Sequence, residues 1–197
     1  MRKLIIVLLF SNILLTCPAQ DNRSNSDKFY VEDVIEWIPT AAIFGMKACG
    51  VDSKSTFTQQ LAITGAAFVV NVAVVEALKH TVHSERPDHS DNKGFPSGHA
   101  AISFMGADIL FEEYKDVSPW IGIGGYGIAT TTSILRVTHD RHHWLDVIGG
   151  AAIGVGASRL SQWLTPKIFK FKNHKTQVYT TPSLYENGMG LDLTLRF

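Results

Sequence analysis

Cysteine is almost missing from this 197-residue chain, with Cys17 and Cys49 the only two. If the export-type segment that carries Cys17 is removed, Cys49 has no intramolecular partner, and packing alone must hold the fold. An excess of charge of one sign is lacking too. Eighteen Lys and Arg balance eighteen Asp and Glu, for a formal net charge of +0, which argues against a general nucleic-acid binder. Mean hydropathy is only +0.07, low for a chain mostly embedded in lipid, so composition leaves membrane residence open. The first apolar run, residues 4–15 behind Arg2 and Lys3, falls short of the roughly 20 residues of a comfortable span. It ends at Cys17-Pro18-Ala19, small residues suited to signal-peptidase cleavage. Residues 1–19 are therefore expected to be an export signal or a retained anchor, and 20–30 a polar lead-in. Thr16 fits a lipidated Cys17 poorly.

What the chain does have is concentrated in three clusters. Lys79 is followed by Arg86-Pro87, then comes Pro96-Ser97-Gly98-His99, then Arg136 with His142 and Asp146. Three cations, two histidines and one carboxylate suit a tetrahedral oxyanion: cations hold the charge, one histidine attacks phosphorus, the other protonates the departing oxygen. Asp146 lies four residues after His142, so on a helix the two would share a face and the carboxylate would fix the imidazole tautomer. Gly98 allows close backbone approach, and a helix opening at Ser97 or Gly98 would aim free N–H groups at an anion. The residues taken together point to a phosphatase.

The spacings resemble those of the type 2 phosphatidic acid phosphatase (PAP2) family, whose pattern is Lys-x6-Arg-Pro, Pro-Ser-Gly-His and Ser-Arg-x5-His-x3-Asp. The matching stretches are KHTVHSERP from Lys79, PSGH from Pro96 and LRVTHDRHHWLD ending at Asp146. Leu135 departs from the pattern's serine, which bears on rate or substrate choice rather than on reaction class. The resemblance spans about residues 59–164 and implies an all-α, PAP2-like bundle of five or six helices. It also implies chemistry without metal or cofactor. Its site would comprise His142, His99 and Asp146 as catalytic residues, with Lys79, Arg86, Ser97, Gly98 and Arg136 on the phosphate.

By length this is one domain, with the helical part expected over 31–170. Residues 31–50 read as a short or broken helix and 59–79 as a long apolar one. Further helices are expected over 99–114, 119–137 and 142–164, the last two glycine-rich for close packing. Lys79 closes a helix, His99 opens one, Arg136 closes one and His142 opens one. An up-and-down bundle brings all four to the same end. A basic tail and a small β-hairpin are expected over 171–197, where Leu191, Leu193, Leu195 and Phe197 alternate with polar residues behind an Asn187-Gly188 turn.

Structural readings compete with each functional one. The cations could be helix-end caps, Ser97 an N-cap, and His142 a satisfied core histidine. His139 and His143 have the i, i+4 spacing that can bind a metal, but a polar surface explains them better. The leading expectation is a phosphatase acting on an envelope lipid phosphate, best lipid A, otherwise undecaprenyl diphosphate, phosphatidate or phosphatidylglycerophosphate. It would sit in a bacterial inner membrane with the site facing the periplasm. Rivals are a soluble or peripheral periplasmic acid phosphatase, a vanadate-dependent haloperoxidase and an inactive lipid-binding membrane protein. Oligomeric state is not legible.

Overall fold

The computed structural model describes residues 31–169 except 88, 90 and 91, and the backbone of 177–185 and 188–196. The expected signal segment, the polar lead-in and most of the basic tail lie outside the described residues. Among the described residues six helices follow in order: α1 (Glu32–Ile35), α2 (Ile38–Ala48), α3 (Phe57–Thr81), α4 (Gly98–Tyr114), α5 (Pro119–Thr138) and α6 (Trp144–Ile168). The broken first helix is α1 and α2, divided at Glu36 and Trp37, with Pro39 admitted in the first turn of α2 where its missing N–H costs nothing.

Local signals set the other boundaries. Thr56 and Gln59 form a capping box that opens α3. Ser97 caps α4, its Oγ accepting the Ala100 N–H. Pro119 opens α5. The carboxylate of Asp146 caps α6 by accepting the His143 N–H at 2.8 Å. α6 also runs past Pro166 to Ile168, a turn beyond the end expected at 164.

α4 is the axis of the bundle. It is buried along most of its length, including Ala100, Ala101, Met105, Ile109 and Tyr114. Glycines let neighbouring helices approach it. A Cβ at Gly154 of α6 would run into the Ala101 carbonyl, and one at Gly122 of α5 into Phe111. Ile43, Ala67, Met105, Ile109, Leu110 and Tyr114 form the apolar cluster, with the Tyr114 hydroxyl donating to the Ile43 carbonyl at 2.7 Å.

The end away from the sequence motifs is tied by polar bonds. Buried Asp108 accepts from Tyr126 Oη and Ser158 Oγ, both at 2.7 Å, and from Arg159. Glu113 accepts from the Ser55 N–H, the Ser55 hydroxyl and Gln60. These carboxylates are buried but satisfied, as burial requires.

The outside of the bundle is apolar. Leu61, Val69, Ile123, Ile134, Leu145 and Ile148 are exposed. So are Trp144 near one end of α6 and Trp163 near the other, at 57% and 60%. Nineteen residues of helix set their Cα atoms roughly 28 Å apart along the axis. At the carboxyl end, β1 (Gln177–Tyr185) pairs antiparallel with β2 (Gly188–Arg196), from Gln177 opposite Arg196 to Tyr185 opposite Gly188.

Candidate active site

Four helix ends and one loop build the site. Lys79 comes from the last turn of α3, Ser97, Gly98 and His99 from the start of α4, Arg136 from the last turn of α5, His142 from just before α6 and Asp146 from its first turn. The backbone ties two of these ends directly, because the Ser97 N–H donates to the Asp146 carbonyl at 2.9 Å. Gly98 lies beneath Lys79, since a Cβ there would be 3.7 Å from its Nζ.

His142 is 2% exposed and hydrogen-bonded through Nδ1 to the Gly94 carbonyl at 2.8 Å. A carbonyl can only accept, so Nδ1 carries the proton and Nε2 keeps its lone pair. Gly94 is itself held by its N–H donating to the Ser84 carbonyl at 2.7 Å, in a loop where Ser84 and Lys93 form a bridge. Burial first, then the Arg136 and Arg86 guanidinium groups, push His142 down to about 3.

This geometry corrects the expected link between His142 and Asp146. The helix starts at Trp144, so the two residues share no helical face. Asp146 Oδ2 lies 3.7 Å from His142 Nδ1 and 3.6 Å from His143 Nδ1, beyond hydrogen-bond reach of either ring. Its bond is the cap on α6. The tautomer of His142 is fixed instead by a backbone carbonyl 48 positions earlier. His143, with a side chain 57% exposed, is an N-cap residue. His139 closes α5 and pairs with Glu32 at 2.9 Å.

Three acidic residues that carry no motif signal also reach the site. Glu32, Asp33 and Glu36 come from α1 and the turn after it. Asp33 Oδ1 is 2.9 Å from His99 Nε2 and 3.7 Å from Arg136. Glu32 is fully buried and also 3.7 Å from Arg136. Glu36 Oε1 is 3.9 Å from His99 Nε2, and burial followed by Asp33 push its carboxyl up to about 7. These carboxylates set negative charge beside the Arg136 guanidinium. Arg136 Nε is nonetheless buried with no hydrogen-bond partner among the described residues.

Burial first, then Arg136, lower His99 from the ordinary value of 6.5, while the bond to Asp33 opposes them. Beside His99 opens a cavity of about 200 Å³ lined by Glu36, Asn71, Val75, Lys79 and Ile102 among others. Arg86 lies close enough to act on His142 and Arg136.

A helical bundle that gathers cations, two histidines and a helix amino terminus at one end is built to receive a tetrahedral oxyanion. The chain belongs to the PAP2 superfamily, whose sequence profile matches residues 60–170. It is 30% identical over 141 residues to a lipid A 1-phosphatase of Porphyromonas gingivalis, an alignment covering 71% of this chain and 32% of that protein. This chain thus spans about a third of that relative's length. The crystal structure of Aquifex aeolicus LpxE superposes with a TM-score of 0.53 at 18% identity, covering 67% of this chain and 83% of that one. A transmembrane PAP2-type phosphatidylglycerolphosphate phosphatase of Bacillus subtilis gives 0.43 at 22% identity, over 87% and 100% of the two chains.

Proposed function

We propose that this protein is a membrane-bound phosphatase that removes phosphate from an envelope lipid through a phosphohistidine, with lipid A the best candidate. The observation that carries the chemistry is His142, buried beside Arg136 and Arg86 with its Nδ1 committed to Gly94. Nε2 attacks phosphorus, forming the N–P bond as the P–O bond to the leaving group breaks. The departing oxygen takes that electron pair and a proton from His99. Water then adds to phosphorus, giving a proton back to His99, and the N–P electron pair returns to His142. Lys79, Arg86, Arg136 and the N–H groups at Ser97 and Gly98 hold the non-bridging oxygens as charge builds. Asp146 keeps the start of α6, and so His142, in place.

Membrane residence is supported by the exposed apolar exterior and by α3, 25 residues long with a mean hydropathy of 2.0 in its most apolar window. The tryptophans near the two ends of α6 lie about as far apart as the two interfaces of a bilayer core of roughly 30 Å. A lipid head group at the interface would then meet the motif end of the bundle, on the periplasmic side. Identity to a lipid A 1-phosphatase favours lipid A over undecaprenyl diphosphate, phosphatidate or phosphatidylglycerophosphate.

The test is phosphate release by the purified protein from each of these lipids in detergent. Lipid A should be the fastest, activity should survive a chelator, and vanadate should inhibit by occupying the cation cluster. Reactivation by a divalent ion after chelation would promote a metal-dependent mechanism. Release from water-soluble esters alone, with the protein in the soluble fraction, would favour a soluble acid phosphatase.

A further inference from the structure

His99 must surrender a proton to a leaving oxygen, yet its surroundings work against its carrying one. It lies in a partly buried position near Arg136, with Lys79 across the adjoining cavity and His142 alongside. Carboxylates facing it are Glu32, Asp33 and Glu36 of the first helical segment and Glu76 of α3. Among the described residues, only Asp33 hydrogen-bonds His99. Asp33 Oδ1 sits 2.9 Å from His99 Nε2, against 3.9 Å for Glu36 Oε1.

We propose that Asp33 is the positioning residue for the leaving-group acid. It fixes His99 with Nε2–H donated to the carboxylate, which leaves Nδ1–H to face the leaving oxygen. This rests on the phosphatase reading above. The two histidines then use opposite nitrogens: His142 is anchored through Nδ1 and acts through Nε2, and His99 is anchored through Nε2 and acts through Nδ1. As the P–O bond breaks, its electron pair and the Nδ1 proton go to the leaving oxygen. Neutral His99 keeps its Nε2–H and stays bonded to Asp33, which remains a carboxylate throughout. Nδ1 is then the base that takes the proton from water in the second step. Asp146, by contrast, caps α6 and lies beyond hydrogen-bond reach of His142, so of the two proposed catalytic imidazoles it is the acid that is hydrogen-bonded to a carboxylate.

Arg136 offers Asp33 an alternative partner at 3.7 Å, and a plain counterion role makes different predictions. A counterion holds the cation whatever the leaving group. An acid-positioning residue matters in proportion to how badly the leaving oxygen needs a proton.

The experiment therefore compares wild type and Asp33→Asn on aryl phosphates of similar shape, from nitrophenyl to unsubstituted phenyl, across pH. Loss of acid assistance should cost on the order of tenfold to a hundredfold on phenyl phosphate and little on the nitrophenyl ester. The basic limb of the rate profile should move to lower pH, and Asp33→Glu should restore part of the phenyl phosphate rate. Vanadate affinity should be kept or tightened, since a negative charge near the site has gone. Equal loss on both esters, with an unmoved pH profile, would overturn the proposal while leaving the phosphatase reading intact. No turnover of any ester or lipid by wild type would overturn both. Wild type alone supplies a second measurement, independent of how the variant folds. Nitrogen NMR of labelled histidine should find neutral His99 protonated on Nε2, and a neutral Nδ1–H tautomer would sink the idea.

Discussion

Two adjacent histidines lie almost equally far from the same carboxylate, so distance to Asp146 cannot distinguish them. Burial and the second partner do. His142 is enclosed and bonded to Gly94, whereas His143 is mostly exposed and caps a helix. His142→Ala should abolish turnover, and His143→Ala should retain most of it, having lost part of a cap worth about 1 kcal/mol. Asp146→Asn is expected to weaken activity through a loosened α6 start. Phosphate release by the purified variants, with a denaturation midpoint for each, checks all three. Equal loss of activity from the two histidine substitutions would remove His142 from its role.

The same residues dictate a pH profile. His142, the proposed nucleophile, is held down to about 3, so it should be neutral around pH 7 and set no limb near neutrality. His99 is lowered from 6.5 and is proposed to work protonated, so kcat/KM, which reports the free enzyme, should fall as pH rises through the weakly acidic range. The profile should be highest on the acid side and lack an acid limb until well below pH 5 or so. Measured kcat/KM between about pH 4 and 9 tests it, and a rate rising steadily toward high pH would contradict the assignment of His99 as acid. Bound phosphate dianion raises both groups, so the fall in kcat belongs at higher pH than the fall in kcat/KM.

At the scale of elements, the site depends on how closely α6 lies against the start of α4. A Cβ at Gly150 would press into the Ser97 carbonyl, and Ser97 bears both the α4 cap and the N–H bonded to Asp146. Gly156, on the same helix, has nothing near its Cβ position. Alanine in a helix interior usually gains up to about 1 kcal/mol over glycine. Gly156→Ala should therefore stabilise slightly and leave activity alone. Gly150→Ala should destabilise by about 1–3 kcal/mol through overpacking and lower activity by shifting Ser97 and His99. Thermal unfolding in detergent, beside phosphate release, separates the pair. If both substitutions behave alike, the close helix contact is not what positions the site.

For the whole molecule, direction along the bundle turns chemistry into topology. α3 and α5 end at the site, while α4 and α6 begin there. α6 therefore carries the chain from the motif end to the other end, where Trp163 has Lys167 above its ring at 3.4 Å. Lys54 and Lys115 belong to the same end, beside Glu112. With Lys79, Arg86 and Arg136 proposed to hold phosphate, Lys54, Lys115 and Lys167 are the lysines expected to set orientation through the positive-inside tendency. A reporter fused after Phe197 should then be cytoplasmic, with alkaline phosphatase inactive and a fluorescent protein bright. The reverse would indicate an inverted, soluble or peripheral protein and remove the main reason for choosing a lipid substrate, without touching the chemistry.

The sequence by itself determined whatever depends on near neighbours along the chain. Thr56, Ser97 and Pro119 mark helix starts through local hydrogen bonds or a fixed φ, and the apolar stretch of α3 needs no partner to be recognised. The order of helix ends then placed Lys79, His99, Arg136 and His142 together, because alternating helices leave one arrangement for them. What the tertiary structure decided is which groups meet when no spacing links them. Gly94 reaches His142 across 48 positions and Asp33 reaches His99 across 66. Neither Val-Glu-Asp-Val near residue 33 nor Lys-Gly-Phe near residue 94 carries a signal of its own. A carbonyl or carboxylate acquires its role only from the imidazole that packing sets against it. The i, i+4 argument for Asp146 failed for a related reason: it assumed a helix two residues before the capping hydrogen bond lets one begin.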